Sequence, residues 1–296
     1  MLACSLGATA QDWGLRWIAC PAAGEGGQVW FRRTFTVAAR PPSARLTIAS
    51  AGTFELFVNG YNVTTDVLTP LAGSPSDTIR VMTFEVGRFL RADSNVVAVW
   101  YSPSTASRKQ LALSIYGGCR DSDRVAIETD GQWFCRPANA RVTPDGGETI
   151  DDGGYITDWN TAGASVTGWL PACEPQGLGP SPIVQVPPIH KARRIRQISR
   201  YTFLDDLGSS IVYRFGARFD GWVRLTLRGM HRGDTLRVNG LTYICSGRTD
   251  EQACRRFTTS ASTIAVVSGP DGFSRENVTD VEAIDIETYT HTSYLY

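Results

Sequence analysis

The stretch VWFRRTFTV, residues 29–37, decides the fold class, because its side chains alternate in character at a period of two. One face of the alternation is apolar and the other is polar: Phe31, Phe35 and Val37 against Arg32, Thr34 and Thr36. A period of two is that of an extended strand with one buried face. The stretch therefore predicts a β-strand at the edge of a core, with Arg32 on the side away from it.

The same alternation recurs along the chain. It appears in RLTIAS, FELFVNG, VMTFEV and NVVAVWY in the first half, and in SIVYRFG, GWVRLTLRG, TIAVVSG and AIDIETY in the second. Gly, Pro, Asn and Asp separate these segments. ELFVNG and TLRVNG each lead a strand into Asn-Gly, a pair that tolerates the positive φ of a type I′ hairpin turn. The pattern predicts an all-β fold of the sandwich type.

A proline- and glycine-rich segment, PACEPQGLGPSPIVQVPP, divides the two series of strands. Proline cannot occupy a central strand and holds the backbone extended, so the segment predicts a semi-rigid linker. We expect two β-sandwich domains of the jelly-roll or galactose-binding-like kind. Their expected bounds are residues 11–173 and 181–296, with the linker at 174–180.

The N-terminus predicts export. In MLACSLGATAQDW, Ala8 and Ala10 stand at the −3 and −1 positions of a cut before Gln11, which makes residues 1–10 the remnant of a signal peptide. The alternatives are a lipid anchor on Cys4 or a terminus with no sorting role. Export implies a periplasmic, cell-surface or secreted protein.

The amino-acid composition argues against some classes of binding partner. The chain has 296 residues, 42% of them hydrophobic, with 29 basic side chains against 29 acidic ones. This balance argues against nucleic acid, whose phosphates require a basic face, and against an anionic membrane surface. No apolar run approaches the ~20 residues of a membrane span. A neutral ligand or a protein partner is expected.

The seven cysteines agree with export, because six of them remain once Cys4 is set aside. Spacing and elimination suggest three disulfides, although six cysteines allow 15 connectivities. The alternative is a set of unpaired core thiols. The suggested pairs are Cys245 with Cys254, Cys119 with Cys135, and Cys20 with Cys173.

Longer stretches resemble a known family. VWFRRTFTV, AGTFELFVNGYNVTTDVLTP and MTFEVGRFLRADSNVVAVWY resemble the N-terminal β-sandwich module of bacterial α-L-rhamnosidases of the glycoside hydrolase family 78 type, through Asn59-Gly60, Pro70 and Asn95. SIVYRFGARFDGWVRLTLRG resembles the module that follows it in that family, through Gly221-Trp222. A departure is Arg214, where the family pattern has Asp.

The resemblance implies an accessory role. In α-L-rhamnosidases the catalytic carboxylates lie on an α/α barrel C-terminal to both modules, and this sequence ends at ETYTHTSYLY, where that barrel should begin. We therefore expect an exported, non-catalytic protein that binds carbohydrate, in particular rhamnose-containing glycans. The alternatives are the accessory portion of a split or truncated α-L-rhamnosidase, whose barrel is on a partner chain, and a purely structural module.

An acidic segment, GETIDDGGYITDWN at residues 147–160, is the sequence's candidate site. Within the resemblance it corresponds to a loop of Ca²⁺-dependent rhamnose-binding modules, and clustered carboxylates suit a cation that takes 6–8 oxygen ligands. The candidate ligands are Glu148, Asp151 and Asp152. A catalytic pair is the weaker hypothesis, because residues on one glycine-rich loop are poorly supported at the spacing that glycoside hydrolysis needs. A solvated turn is the third.

Aromatic residues complete this candidate site. Tyr155 and Trp159 follow the acids and offer ring faces to sugar C–H groups, whereas the solvated-turn hypothesis puts Trp159 in the core. Trp133, after the turn in DGQWF, is a second candidate platform. Trp30, Trp100 and Trp222 are expected in the core.

Basic and histidine residues gave weaker signals. The run HKARRIR, residues 190–196, predicts either salt bridges between the two domains or contacts with an acidic glycan. His190, His231 and His291 are expected at the surface or in the linker, with no nucleophile beside them.

Overall fold

A computed structural model describes residues 16–71, 78–103, 111–118, 124–175, 182–208 and 210–292. The all-β prediction is confirmed. None of the helices in these ranges has the length and hydropathy to cross a bilayer. The strands are β1 Gly27–Val37, β2 Ser43–Ser50, β3 Thr53–Val58, β4 Tyr61–Asn62, β5 Ile79–Glu85, β6 Asp93–Ser102, β7 Leu111–Gly118, β8 Arg124–Glu128, β9 Phe134–Val142, β10 Glu148–Asp151, β11 Leu170–Pro171, β12 Ile183–Gln185, β13 Ile189–Asp206, β14 Ile211–Arg228, β15 Thr235–Val238, β16 Leu241–Ile244, β17 Asp250–Cys254, β18 Ser260–Ser268 and β19 Val278–Thr292. Short 3₁₀ turns lie at Gly87–Phe89, Asp152–Gly154 and Arg275–Asn277.

The first half is a sandwich of two sheets. One sheet has the strand order β12-β5-β2-β7-β8, and the other begins β4-β3-β6-β1-β9 and continues into the second half. Their facing side chains form a buried core that includes Phe31, Leu46, Leu56, Val99 and Leu113. Burial of such side chains stabilises the fold by about 1.5–3 kcal/mol each, so this core is the main support of the first half.

The outer face of β1 is also buried, contrary to the prediction for Arg32. A loop containing residues 158–169 covers this face, and Trp159 stacks on Trp30 with 5.4 Å between ring centroids. The Arg32 guanidinium donates hydrogen bonds to the carbonyl oxygens of Thr161, at 2.8 Å, and Ala164, at 3.0 Å. Burial lowers the pKa of Arg32. A polar strand position is therefore buried because a distant loop supplies its acceptors.

Both Asn-Gly hairpins form as predicted. Asn59 and Asn239 have φ of 52° and 44°, and the glycines that follow also have positive φ. Each asparagine side chain also bridges to a neighbouring strand: Asn59 accepts from the Val96 amide at 2.9 Å, and Asn239 donates to the Ile264 carbonyl at 2.8 Å. These residues therefore fix both a turn and a strand register.

The second half surrounds its own core. Its strands follow the order β13-β19-β14-β18-β15-β16, and the buried side chains include Tyr213, Phe219, Leu225, Leu236 and Val267. Strand β10 pairs in parallel with β16, which joins the long sheet of the first half to these strands. The two halves are thus continuous through backbone hydrogen bonds.

One strand of the predicted second domain, β12, pairs with the first sandwich. Strand β12 follows the proline-rich segment, yet it pairs in parallel with β5 of the first sandwich. The Val186 amide also donates to the Val81 carbonyl at 2.8 Å. The second half therefore begins at β13, because the segment after the linker completes the first sheet.

Specific side chains also connect the halves. The Arg256 guanidinium lies 2.7 Å from the Glu55 carboxylate, and Arg255 donates to the Gly146 carbonyl at 2.6 Å. Within the described ranges, the run HKARRIR forms no salt bridge between the two halves, contrary to one of its two hypotheses. Arg194, for example, pairs with Glu287 at 2.7 Å, and both residues belong to the second half.

The predicted disulfides do not form among the described cysteines. Cys245 and Cys254 are both unbonded thiols, and burial raises the pKa of each to about 12. Cys135 and Cys173 lie close together, but each thiol is directed toward the Ala19 carbonyl oxygen, at 3.9 and 3.6 Å.

The remaining disulfide predictions involve Cys20 and Cys119. Cys20 forms no disulfide either, and its contact with Cys135 raises the pKa of the Cys135 thiol. Cys119 and the predicted signal remnant at residues 1–10 lie outside the described residues.

Candidate functional site

Glu148 of the acidic segment is an internal brace. Its side chain is fully buried. One carboxylate oxygen accepts from the Gln28 amide at 2.6 Å, and the other accepts from the backbone amides of Arg256, at 2.8 Å, and Phe257, at 3.2 Å, and from the Thr258 hydroxyl, at 3.2 Å. A buried carboxylate requires such donors. This carboxylate connects β10 to the second half and has no free face for a ligand.

The other two acids serve local contacts. Asp151 caps its own 3₁₀ turn by accepting from the Gly153 amide at 3.0 Å. Asp152 lies 3.6 Å from the Arg248 guanidinium. Among the described residues, no group of three or more His, Cys, Asp and Glu side chains is placed to hold a metal ion. Glu148, Asp151 and Asp152 thus do not fit the calcium site that the sequence suggested.

The predicted sugar platforms pack against protein. Trp133 is fully buried and its indole N–H donates to the Glu128 carbonyl at 2.9 Å. Trp159 is buried against Trp30, as the solvated-turn hypothesis expected. Tyr155 is half-buried, with its ring 5.8 Å from that of Trp30. Of the six predicted site residues, Tyr155, Asp151 and Asp152 are partly exposed to solvent and the other three are buried.

A cleft at the junction of the two halves is the larger candidate. We call it the junction cleft. It has a volume of about 630 Å³ and lies between strand β5, the segment after the first Asn-Gly hairpin, and the neighbouring ends of β13 and β19. This volume is within the range of ligand pockets. Among the side chains that line it are Thr64, Thr65, Thr69, Thr83, Phe84 and Glu85.

The hairpin segment of the cleft is held in place by short-range bonds. The Val63 amide donates to the Leu56 carbonyl at 2.7 Å, and the Thr64 amide donates to the Asn62 side chain at 2.9 Å. Further along, the Phe54 amide donates to the Thr69 carbonyl at 2.7 Å. Residues 63–69 are therefore positioned before any ligand arrives, which lowers the cost of binding.

Asp66 forms a hydrogen-bonded cluster across the junction. Its carboxylate accepts from the Tyr289 hydroxyl and lies 2.9 Å from His291 Nδ1. Burial, and then the hydrogen bond to Asp66, raise the pKa of Tyr289 to about 12. His190 stacks on His291 with 5.0 Å between ring centroids, and its Nδ1 donates to the Pro187 carbonyl at 2.9 Å. The cluster joins a first-half loop to β13 and β19.

This arrangement suits a polyhydroxylated ligand. Threonine hydroxyls donate and accept hydrogen bonds, and Val63, Met82 and Phe84 add apolar residues to the lining. The two carboxylates of the cleft are both engaged: Asp66 with Tyr289 and His291, and Glu85 with the Ala44 amide at 2.9 Å. Neither is a free acid positioned for proton transfer.

The comparisons with known proteins identify the family. The family model described as "Alpha-L-rhamnosidase N-terminal domain" matches residues 39–188. The chain belongs to this family. An α-L-rhamnosidase from Formosa agariphila is 23% identical over an alignment of 185 residues, with a coverage of 53% of this chain and 20% of that protein.

Solved rhamnosidases share the fold of this rhamnosidase N-terminal family member over most of its length. The α-L-rhamnosidase from Dictyoglumus thermophilum matches with a TM-score of 0.81 and 18% identity, covering 93% of this chain and 36% of that one. The enzyme from Aspergillus terreus matches with a TM-score of 0.79 and 21% identity, covering 95% and 37%. The Streptomyces avermitilis enzyme, solved in complex with L-rhamnose, matches with a TM-score of 0.78 and 19% identity, covering 89% of this chain and 29% of that one. At these identities the likeness shows the fold alone.

The family member spans a fifth of its curated relative and about a third of the solved enzymes. Its junction cleft is formed mainly by residues within the family match, from Arg40 to Pro188, whereas His190 and His291 lie C-terminal to the match.

Sequence reasoning did not find the cleft. None of the six predicted site residues lines it, and His190 and His291 were expected at the surface or in the linker. The available signal was the polar run NVTTD, residues 62–66, which directly follows a predicted Asn-Gly hairpin. Polar residues held on a short connection between strands are common in binding sites.

Proposed function

We propose that this chain is a carbohydrate-binding accessory unit of the α-L-rhamnosidase type, and that the junction cleft is its binding site. The observation that carries the proposal is the cleft itself: a preformed concavity of about 630 Å³ lined by threonine hydroxyls, Phe84 and the Asp66–His291 pair. Sugars combine hydroxyl groups with apolar C–H faces, so both kinds of lining are needed. Rhamnose-containing glycans are the proposed ligands.

A binding role is favoured over catalysis by the state of the carboxylates. Glycoside hydrolysis needs two carboxyl groups about 5–10 Å apart across the sugar, one to donate a proton and one to act as base or nucleophile. Asp66 and Glu85 are already engaged with protein donors, and Glu148 is buried away from solvent. In the proposed function, the chain therefore binds a glycan on which a separate catalytic domain acts.

The location and partner follow from the same proposal. An exported protein, in the periplasm, at the cell surface or secreted, would meet polymeric glycans. The partner would be an α-L-rhamnosidase catalytic domain, on this or another chain. What supports this is the size of the relatives, of which the chain spans 20% in the curated enzyme.

Calorimetric titration with L-rhamnose and rhamnose-containing oligosaccharides tests the proposal. Thr65 is exposed and lines the cleft, so Thr65→Trp fills the cleft without disturbing the core. Asp151→Asn is the matched control in the acidic segment. We expect binding to the native protein and to Asp151→Asn, and at least tenfold weaker binding to Thr65→Trp. Equal binding to both variants would place the site elsewhere.

The second candidate function is that of a structural unit supporting a catalytic domain. The observation in its favour is the close joining of the halves by β10 and β16 and by the Arg256–Glu55 pair, which makes a rigid support. Under this hypothesis no saccharide raises the melting temperature of the isolated chain, whereas a ligand of the native state must raise it.

A further inference from the structure

The junction cleft has a neighbouring cavity at His190. A second cavity of about 200 Å³ lies on the other side of that residue, and four side chains line both cavities: Thr69, Met82, Val186 and His190. The two cavities are therefore neighbours that share part of their lining, and we call the pair the junction groove. A groove with two compartments accommodates more than one sugar unit.

The lining of the junction groove is strongly basic. Six cationic side chains line it, against two carboxylates, those of Asp66 and Glu85. The chain as a whole has a formal net charge of zero, so this excess is local and does not reflect a basic protein. The cations are Arg40, Arg45 and Arg88 around the larger cavity, and Arg80, Lys191 and Arg193 around the smaller one.

Most of these cations have no acidic partner among the residues that the structure describes. Within the described part of the chain, Arg45 alone of the six is seen near a carboxylate, 4.0 Å from Glu85. Arg40 donates to the Arg88 carbonyl at 3.2 Å, and Lys191 donates to the Thr290 hydroxyl at 2.8 Å. The Arg88 guanidinium lies over the Phe89 ring at 4.7 Å. Among the described residues, the charges of the other five are thus not paired with a carboxylate.

Strand β13 contains both cations that line the groove and arginines that are paired with acids. Lys191 and Arg193 line the groove. Arg194, Arg196 and Arg200 lie outside it and pair with Glu287, Asp285 and Asp280 of β19. The strand therefore neutralises its arginines on the side away from the groove and leaves the cations of the groove available. This sorting is the expected arrangement for recognition of an anionic ligand, because a concave lining of one charge concentrates its field.

We propose that the junction groove binds an acidic oligosaccharide, one whose sugar units carry carboxylate or sulfate groups. The inference rests on the proposed carbohydrate-binding function and specifies its ligand class. Sugar hydroxyls contact the threonines of the larger cavity, while the acidic groups contact guanidinium groups, whose planar fork binds carboxylate and sulfate through paired hydrogen bonds. His190 lies between the two compartments and contacts the linkage region.

Matched ligands separate this inference from the proposed function. Calorimetric titrations would use a rhamnose-containing oligosaccharide with uronate units, the same oligosaccharide with its carboxyl groups reduced to alcohols, and a sulfated oligosaccharide of similar length. We expect the acidic forms to bind about tenfold more tightly than the reduced form at low salt, which is the size of one charge-assisted hydrogen bond. The advantage should decline as salt is added.

Matched variants locate the site. Arg88→Gln and Arg193→Gln remove exposed or half-buried cations of the groove, and each should weaken binding of the acidic oligosaccharide by roughly two- to fivefold, with a larger loss in the double variant. Arg200→Gln, on the same strand as Arg193 but ion-paired outside the groove, is the control and should bind like the native protein. The neutral oligosaccharide should bind the native protein and all of these variants equally.

The outcomes are distinct. Equal affinity for the acidic and reduced oligosaccharides overturns the inference and leaves the proposed function standing, whereas no binding of any saccharide overturns both. Equal losses in Arg200→Gln and Arg88→Gln also overturn the inference, because they would indicate binding by general surface charge. Polyglutamate binding as tightly as the acidic saccharide would have the same meaning. A preference between uronate and sulfate identifies the source of the negative charge.

Discussion

Replacing Glu148 by alanine should destabilise the whole fold, because this carboxylate is a brace between the two halves. The change leaves the Gln28 amide, the Arg256 and Phe257 amides and the Thr258 hydroxyl without their acceptor in a buried site. Removing one partner from a buried charged network costs about 3–5 kcal/mol. Glu148→Gln keeps one carbonyl oxygen and the side-chain volume, so its cost should be about 1.5–3 kcal/mol, the contribution of a hydrogen bond to a charged group.

Urea unfolding followed by tryptophan fluorescence measures these changes. Asp151→Ala in the same segment is the control. It loses only the cap of a short turn, which should cost about 1 kcal/mol or less. Calcium and EDTA should leave the melting temperature of every variant unchanged. The role of Glu148 as a brace would be refuted if Glu148→Ala unfolded at the same urea concentration as the native protein. If calcium stabilised the native protein and not this variant, the acidic segment would instead be a cation site.

Further predictions concern individual side chains. Burial raises the pKa of Tyr213 to about 12, so this tyrosine ionises at a lower pH in the unfolded state than in the folded state. Its contribution to the free energy of unfolding should therefore be fully present below about pH 10 and be lost as the pH rises toward 12. Tyr213→Phe should remove the part of this pH dependence that Tyr213 causes, as measured by urea unfolding at a series of pH values. The Tyr213 hydroxyl has no hydrogen-bond partner among the described residues, so this variant should also be at least as stable as the native protein at pH 7. Asn59→Ala should cost about 2–4 kcal/mol, because alanine at a positive φ is strained and the side-chain contacts to the neighbouring strand are lost. Asn59→Gly loses the same contacts but is not strained, so it should cost less; equal losses in thermal unfolding would argue against a strained turn. In a Cys4→Ser/Cys119→Ser background, exposed Cys173 should react with a thiol reagent well before buried Cys135, and a Cys173→Ser variant that keeps the fast phase would contradict this.

Local sequence patterns were enough to predict the strands and the turns. The alternation at residues 29–37 and the Asn-Gly pairs at 59–60 and 239–240 act over a few residues, so their structural consequences are contained in the sequence around them. The burial of Arg32 was not predictable in this way, because its acceptors at Thr161 and Ala164 are supplied by a loop about 130 residues away.

The role of Glu148 and the site itself depend on even longer separations. The donors to Glu148 include backbone amides more than 100 residues further along the chain, and without them four acids in a glycine-rich segment look like a ligand site. The junction groove combines residues from position 40 to position 291, so no window of the sequence contains it. The predicted bounds place β12 in the second domain for the same reason, because its partner strand, β5, lies about 100 residues earlier in the sequence.

The measurement that tests the account most directly is the titration of one rhamnose-containing acidic oligosaccharide into the native protein, Thr65→Trp and Asp151→Asn, with circular dichroism to verify that all three are folded. A site in the junction groove predicts that Thr65→Trp loses binding while Asp151→Asn retains the native affinity. Loss of binding in Asp151→Asn with native affinity in Thr65→Trp would contradict the account and return the site to the acidic segment.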